Sequence, residues 1–375
     1  MTATNKDKIL VVVQLTGAND FLNTVIPYSN PLYRDNRPTV GIPSDQVLPI
    51  NNDLGFNPAM APINDLYGRG NVAVINGVGY PNPNRSHFRS MDIWHTCEPD
   101  KIASEGWLGK AIRDLDPRAE NVLTGVNIGR GLPRAMALPG VPVVSVGDLD
   151  SYGVLNSFVS EQRRTEALDT FARMYAPAVG VGQVMDYLGQ TGLDALQGAD
   201  LLRQAPASYS SSVEYASSPI AINLRSVAKV VTAGLGTRVC YTQHAGYDTH
   251  ASQLATHPQL LKDLAQAVSD FHADLEEQGS LDNVLIYIFT EFGRRVKDNG
   301  SGTDHGSGGG GFAIGGAVKG GLYGEYPSLK DEDLLEGDLR FNQDFRGVYG
   351  NILEKWLGLD PVPIVGGNFE QPGFL

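Results

Sequence analysis

Residues 9–15 (ILVVVQL) form a continuous apolar run that ends in the polar turn Thr16-Gly17-Ala18-Asn19-Asp20. Unbroken rather than alternating hydrophobicity predicts a strand buried on both faces, as in the middle of a parallel sheet. Further strands are expected at 72–76, 122–128, 141–146, 237–243, 283–290 and 311–315. Helical spacing marks 57–67, 87–95, 160–174, 220–235, 257–278 and 344–357. Strand–helix alternation over this length predicts an α/β fold with a doubly wound, mostly parallel sheet. The stretch 190–218 is rich in Ala, Gly, Ser and Gln and weakens the periodicity. It reads as helical turns and a surface loop, part of a lid or insertion at about 150–220 within one domain spanning 1–375.

Open α/β sheets bind ligands at the carboxyl edge of their strands. Five polar clusters fall at expected strand ends or helix starts: Gly17 to Asp20, Asn84 to His87, Gly246 to His250, Glu291 with Arg294, and Gly302 to Gly306. Parallel strands would gather all five on one edge. The clusters hold the carboxylates, imidazoles, hydroxyl and guanidiniums that suit a metal and an anionic ester.

Ser86 is the nucleophile candidate, because it precedes a helix whose free N–H groups and dipole favour an anion. Serine is also a favoured N-cap, and the two roles are compatible. Asp248 and His250, two residues apart, point the same way on an extended segment, as two ligands of one metal would. A structural salt bridge would explain the pair equally well. Asp304 and His305 sit between glycines, in a loop that presents polar groups. Asp20 and Glu291 each follow a buried strand, where a partly desolvated carboxylate needs a cation. For Asp20 an Asx-turn is the alternative. Arg294 and Arg85 are candidates to balance charge on a phosphate or sulfate oxygen.

The formal net charge is −13 and no block of basic residues exists, which excludes a nucleic-acid groove. A metal or a local arginine must therefore supply the positive charge for an anionic substrate. No run of about 18 apolar residues is present to span a membrane. The start MTATNKDKIL lacks a signal-peptide stretch, so the chain as it stands reads as cytoplasmic. Cys97 and Cys240 read as buried thiols rather than a disulfide.

The phrases LTGANDFLNTVIPY, RPTVGIP, NRSHFRSMDIWHT, GYDTH, TEFGRR, GTDHG and GGAVKGGLYGEYPSL resemble the domain of unknown function 1501 family. That family consists of sulfatase-like proteins of the alkaline phosphatase superfamily, and the resemblance runs from residue 9 to about 359. It implies a three-layer α/β/α fold of alkaline phosphatase type with a metal centre at the strand ends. It also implies hydrolysis of phosphate or sulfate esters, with a small-molecule or saccharide ester as partner. By position, Asp20, Asp248, His250 and His305 resemble metal ligands and Ser86 the nucleophile. Glu291 stands where the superfamily often has the Asp of an Asp-His pair.

Two departures bear on the metal, a divalent Zn, Mn, Mg or Ca. Phe292 follows Glu291 where a histidine is usual, and Asp248-x-His250 is shorter than Asp-x-x-x-His. Both point away from a full two-zinc site. No cysteine stands at the nucleophile position, so the formylglycine route is not supported. Relatives commonly carry a twin-arginine export signal, which would make the protein periplasmic if one has been removed. The rival readings are a binding or scaffold protein that has lost the chemistry and a phosphomutase of the same superfamily.

Overall fold

The computed structural model describes residues 8–149, 161–175 and 209–375, with 182, 189–190, 193–194, 197–199, 201–203 and 205 between them. In chain order the strands are β1 (Ile9–Thr16), β2 (Val25–Ile26), β3 (Leu48–Pro49), β4 (Gly55–Phe56), β5 (Val72–Gly79), β6 (Gly125–Ile128), β7 (Val144–Val146), β8 (Val239–Ala245), β9 (Val284–Thr290), β10 (Gly309–Ile314), β11 (Gly321–Tyr323) and β12 (Gln343–Asp344). One sheet has the order β11-β5-β10-β9-β1-β8-β6-β7, with β12 also paired to β5. All of its pairings are parallel except those of β10, which runs against both β5 and β9. The expected α/β class, with a mostly parallel sheet, is what the chain adopts.

β1 explains why the sheet is buried on both sides. Val11, Val13 and Leu15 point to one face, where they join Leu264, Val268 and Phe271 of the helix Gln253–Glu277 and Leu224 and Val227 of Pro219–Thr232. Leu10 and Val12 point to the other, with Ile93 and Trp94 of the helix His87–Thr96 and Val348 and Tyr349 of Phe345–Asn351. The period-2 geometry of a strand thus feeds two cores, and helices close both. Cys97 and Cys240 belong to opposite cores and are free, buried thiols, as expected.

The topology fixes where function sits. β8 and β9 flank β1 on opposite sides, so a crevice opens at the carboxyl end of β1. Antiparallel β10 begins at the edge where its neighbours end. Residues just before β10 therefore meet residues just after β1, β5, β8 and β9.

Some elements differ from expectation. The long helix begins at Gln253, one turn before the His257-Pro258 step that looked like its start. Its first turn is held by bonds from the buried Gln253 to Asp20 and from the buried His257 to Asn19. Those bonds override the tendency of the residue before proline to leave the helical region. The helix Trp107–Leu115 went unread, although its buried Trp107, Leu108, Ala111 and Ile112 keep helical spacing. The antiparallel sheet β2-β4-β3 also went unread, because strands of two residues carry no periodicity. A helix spans Glu161–Tyr175, close to the expected 160–174. The lid or insertion read at 150–220 falls largely outside the described residues. Among the described residues, no helix is long and apolar enough to cross a membrane.

Candidate metal centre

Two loops and one helix start converge at the carboxyl edge. His87 opens the helix after β5, Asp248 and His250 follow β8, and His305 lies before β10. His87, Asp248 and His305 each direct one ligand atom into a group whose members lie within 4.8 Å of one another. His87 Nε2 is 2.9 Å from His305 Nε2. Asp248 Oδ1 is 3.2 Å from His305 Nε2 and 3.5 Å from His87 Nε2. His250 lies beside the group, its Nε2 3.0 Å from His305 Nε2 and 3.1 Å from Asp248 Oδ1.

The far side of each imidazole decides what the near side offers. His87 Nδ1 is 2.8 Å from Glu291 Oε1, which also accepts the Gly17 N–H. His250 Nδ1 is 2.9 Å from Asp304 Oδ1, which also accepts from Asn299. His305 Nδ1 is 2.8 Å from the carbonyl oxygen of Arg85. Each partner is an acceptor, so each Nδ1 carries the proton and each Nε2 turns a bare lone pair inward. Two imidazole lone pairs and a carboxylate oxygen at 2.9–3.5 Å from one another repel unless a positive species sits among them. Bonds of about 2.0 Å in a tetrahedron place ligand atoms about 3.3 Å apart. The spacing of His87, Asp248 and His305 fits such a cation.

Charge and packing agree with that fit. Burial tends to raise the Asp248 carboxyl, but the Arg294 bond and charge outweigh it and hold Asp248 down at about 2. The Glu291 bond, opposed by burial, pushes His87 above its usual value. The Phe292 ring stacks on His87 at 5.0 Å between centroids and lies 5.2 Å from His305. An apolar ring thus lies against two of the imidazoles.

Several expected site residues do other work. Asp20 is fully buried in a bidentate pair with Arg37 and also accepts from Gln253, so its oxygens are taken. Arg37 outweighs the effect of burial and keeps the Asp20 carboxyl below the usual range. The ligand role expected for Asp20 is therefore corrected. It needed a cation, and the cation is a guanidinium. Glu291 and Asp304, also expected as ligands, stand one bond further out and orient His87 and His250.

Arg294 is buried and donates to the carbonyls of Gly17, Ala18, Tyr247 and Thr303 and to Asp248. It ties the converging loops together, and its side chain is fully buried away from solvent. Arg85 pairs with Asp338 at 2.7 Å and with Glu336 at 3.4 Å, and it meets the centre through its carbonyl. Ser86 is exposed at the N-cap of the helix, and its side chain makes no capping bond. Sequence reading placed His87 within a polar cluster without making it a ligand. Its position at a helix start, eight residues beyond a buried strand, was the available signal.

A family model described as a protein of unknown function (DUF1501) matches residues 67–339. The chain belongs to the DUF1501 family. No curated protein matches this DUF1501 chain significantly. Among solved structures it is similar to a phosphonate monoester hydrolase, SpPMH, from Silicibacter pomeroyi, at 9% identity and a TM-score of 0.45. That match covers 98% of this chain and 76% of the other. It is also similar to PsFucS1 sulfatase from Pseudoalteromonas sp., at 13% identity and a TM-score of 0.39, covering 96% and 68%. Ps i-CgsB in complex with k-i-k-neocarrahexaose matches at 9% identity and a TM-score of 0.40, covering 97% and 73%. The α/β assignment of the DUF1501 chain rests on its own sheet topology.

Proposed function

We propose that this DUF1501 protein is a metal-dependent hydrolase of phosphate or sulfate esters built on a single divalent cation. The observation that supports it is the grouping of His87 Nε2, His305 Nε2 and Asp248 Oδ1, each imidazole fixed by an acceptor behind it, with His250 beside them. Two neutral nitrogens and one carboxylate, with a position left open, suit zinc before magnesium or calcium, which take oxygen ligands. Bound there, a divalent ion supplies a Lewis acid that neutralises substrate oxygens and acidifies a hydroxyl or water.

The chain's own groups would divide the remaining work. Arg294 and Arg85 are committed to carbonyls and carboxylates, so they leave the substrate's charge to the cation and the helix N-terminus. Ser86 precedes His87 directly, is exposed and makes no capping bond, so its hydroxyl is available as nucleophile. In that role Ser86 Oγ forms a bond to phosphorus or sulfur as the ester oxygen departs. A water molecule then releases the serine and the inorganic acid. Phe292 would shield one side of the site from water.

The test is metal analysis of the purified chain together with turnover of aryl phosphates, phosphodiesters and aryl sulfates across a metal panel. One bound ion per chain is expected, lost in His305→Ala, with activity lost in both His305→Ala and Ser86→Ala. An intact metal-dependent rate in Ser86→Ala would leave water as the nucleophile and remove serine. A chain that binds no metal would support a scaffold role on this fold.

A further inference from the structure

A cleft of about 610 Å³ opens beside His87 and Glu291, between the start of the helix His87–Thr96 and the carboxyl end of β1. That size falls within the roughly 300–1,000 Å³ of small-molecule sites. His87 is shared with the candidate centre, so a molecule held there reaches the cation from one side. Phe88, Met91 and Ile102 form the walls, and Phe88 and Ile102 are 91% and 82% exposed. Two large apolar side chains standing in water at the mouth of one cleft mark a binding surface.

Several polar groups of the cleft are already bonded to one another. Arg89 pairs with Asp92 at 2.6 Å and donates to the carbonyls of Glu98, Pro99 and Lys101, which fixes the segment leading to Ile102. Arg134 pairs with the other Asp92 oxygen. On the floor, Gln14 accepts from Tyr241 and faces His95 Nε2 at 3.0 Å. Burial keeps that His95 ring neutral, with its value pushed down to about 3. A neutral floor and apolar walls favour an apolar group, and Arg89 is taken up by Asp92 and three carbonyls.

We propose that this cleft holds the alcohol-side group of the ester, and that this group is a flat, apolar ring rather than a sugar or a short alkyl chain. The proposal rests on the hydrolase reading for the position of the anionic end alone. The anion would lie toward His87 and the cation while the ring stacks against Phe88 and Ile102.

Calorimetric titration of the zinc-loaded full chain with methylphosphonate, phenylphosphonate and 1-naphthylphosphonate tests it, since none of the three is hydrolysed. Burial of the ring predicts that the naphthyl compound binds about tenfold or more tighter than the methyl compound. Phenylphosphonate should fall between them. In Phe88→Ala/Ile102→Ala the naphthyl-to-methyl ratio should drop to about twofold. Both side chains are exposed, so the fold survives their loss. A wild-type ratio under twofold, a ratio that survives the substitutions, or no binding by any of the three would overturn the proposal. Repeating the titrations after chelation separates the two readings. A ring preference that persists without metal keeps the cleft and removes the cation from the anion's site.

Discussion

Replacing Glu291 with Gln isolates the orienting role of that carboxylate. Glu291 is 1% exposed, and its Oε1 accepts from His87 Nδ1 at 2.8 Å and from the Gly17 N–H at 3.0 Å. Its Oε2 lies 2.9 Å from Thr290 Oγ1, which also reaches the Leu15 carbonyl at 2.9 Å. A glutamine oxygen can keep both bonds at Oε1. Its amide nitrogen then donates to Thr290, whose own proton goes to Leu15. Shape and bond count survive, and what disappears is the negative charge behind the imidazole. Loss of such an outer partner typically costs about 10- to 100-fold in metal affinity. That corresponds to about 1.4–2.7 kcal/mol.

Competition for zinc against a chromophoric chelator reads the affinity, and thermal melting of the metal-free chain controls for folding. Glu291→Gln should melt close to wild type without metal and bind zinc about 10- to 100-fold more weakly. His87→Ala, which deletes a donor outright, should lose more. The reasoning fails if Glu291→Gln binds zinc within about twofold of wild type while His87→Ala does not, because orientation by the carboxylate would then count for nothing.

Three further expectations concern the frame of the site. Arg37→Met strands the buried Asp20 carboxylate and should cost about 3–5 kcal/mol in urea unfolding, with the loop after Arg294 loosened. Gly17→Ala forces a side chain onto a residue at φ +115° and sets its Cβ 2.5 Å from the Asp248 backbone nitrogen. It should destabilise by about 1–3 kcal/mol or more and weaken zinc binding, because Asp248 must shift. Burial holds His95 down at about 3 and His257 at about 4, so as pH falls below about 6.5 the unfolded chain takes up protons that the folded chain refuses. Stability is full above that pH and is lost toward pH 4, by up to about 1.4 kcal/mol per pH unit for each ring. His95→Gln should flatten the slope of urea midpoint against pH.

The sheet was legible because its strands are written as contiguous apolar runs, and a parallel order then forces their polar sequels onto one edge. Asp248, His250 and His305 could be singled out for the same reason, and the structure brings them together. Other assignments depended on contacts that leave no local mark. Asp20 finds Arg37 seventeen residues on, across a short turn, a two-residue strand and the helix Pro31–Asn36. Arg294 spends most of its donors on backbone carbonyls, and any residue type can provide a carbonyl.

The confusion of inner with outer positions has a sharper cause. Glu291 and Asp304 are the residue types a metal takes, and they sit in the loops a metal would use. What sets them outside is that an imidazole has two nitrogens and lies between them and the centre. A carboxylate that meets Nδ1 fixes the tautomer and turns Nε2 inward, so a histidine and an acid in neighbouring loops act in series rather than side by side. In a list of residues, Asp-x-His and Glu-Phe look like parallel contributions to one shell. Only the direction of each ring separates the atom that would touch a cation from the one that aims it.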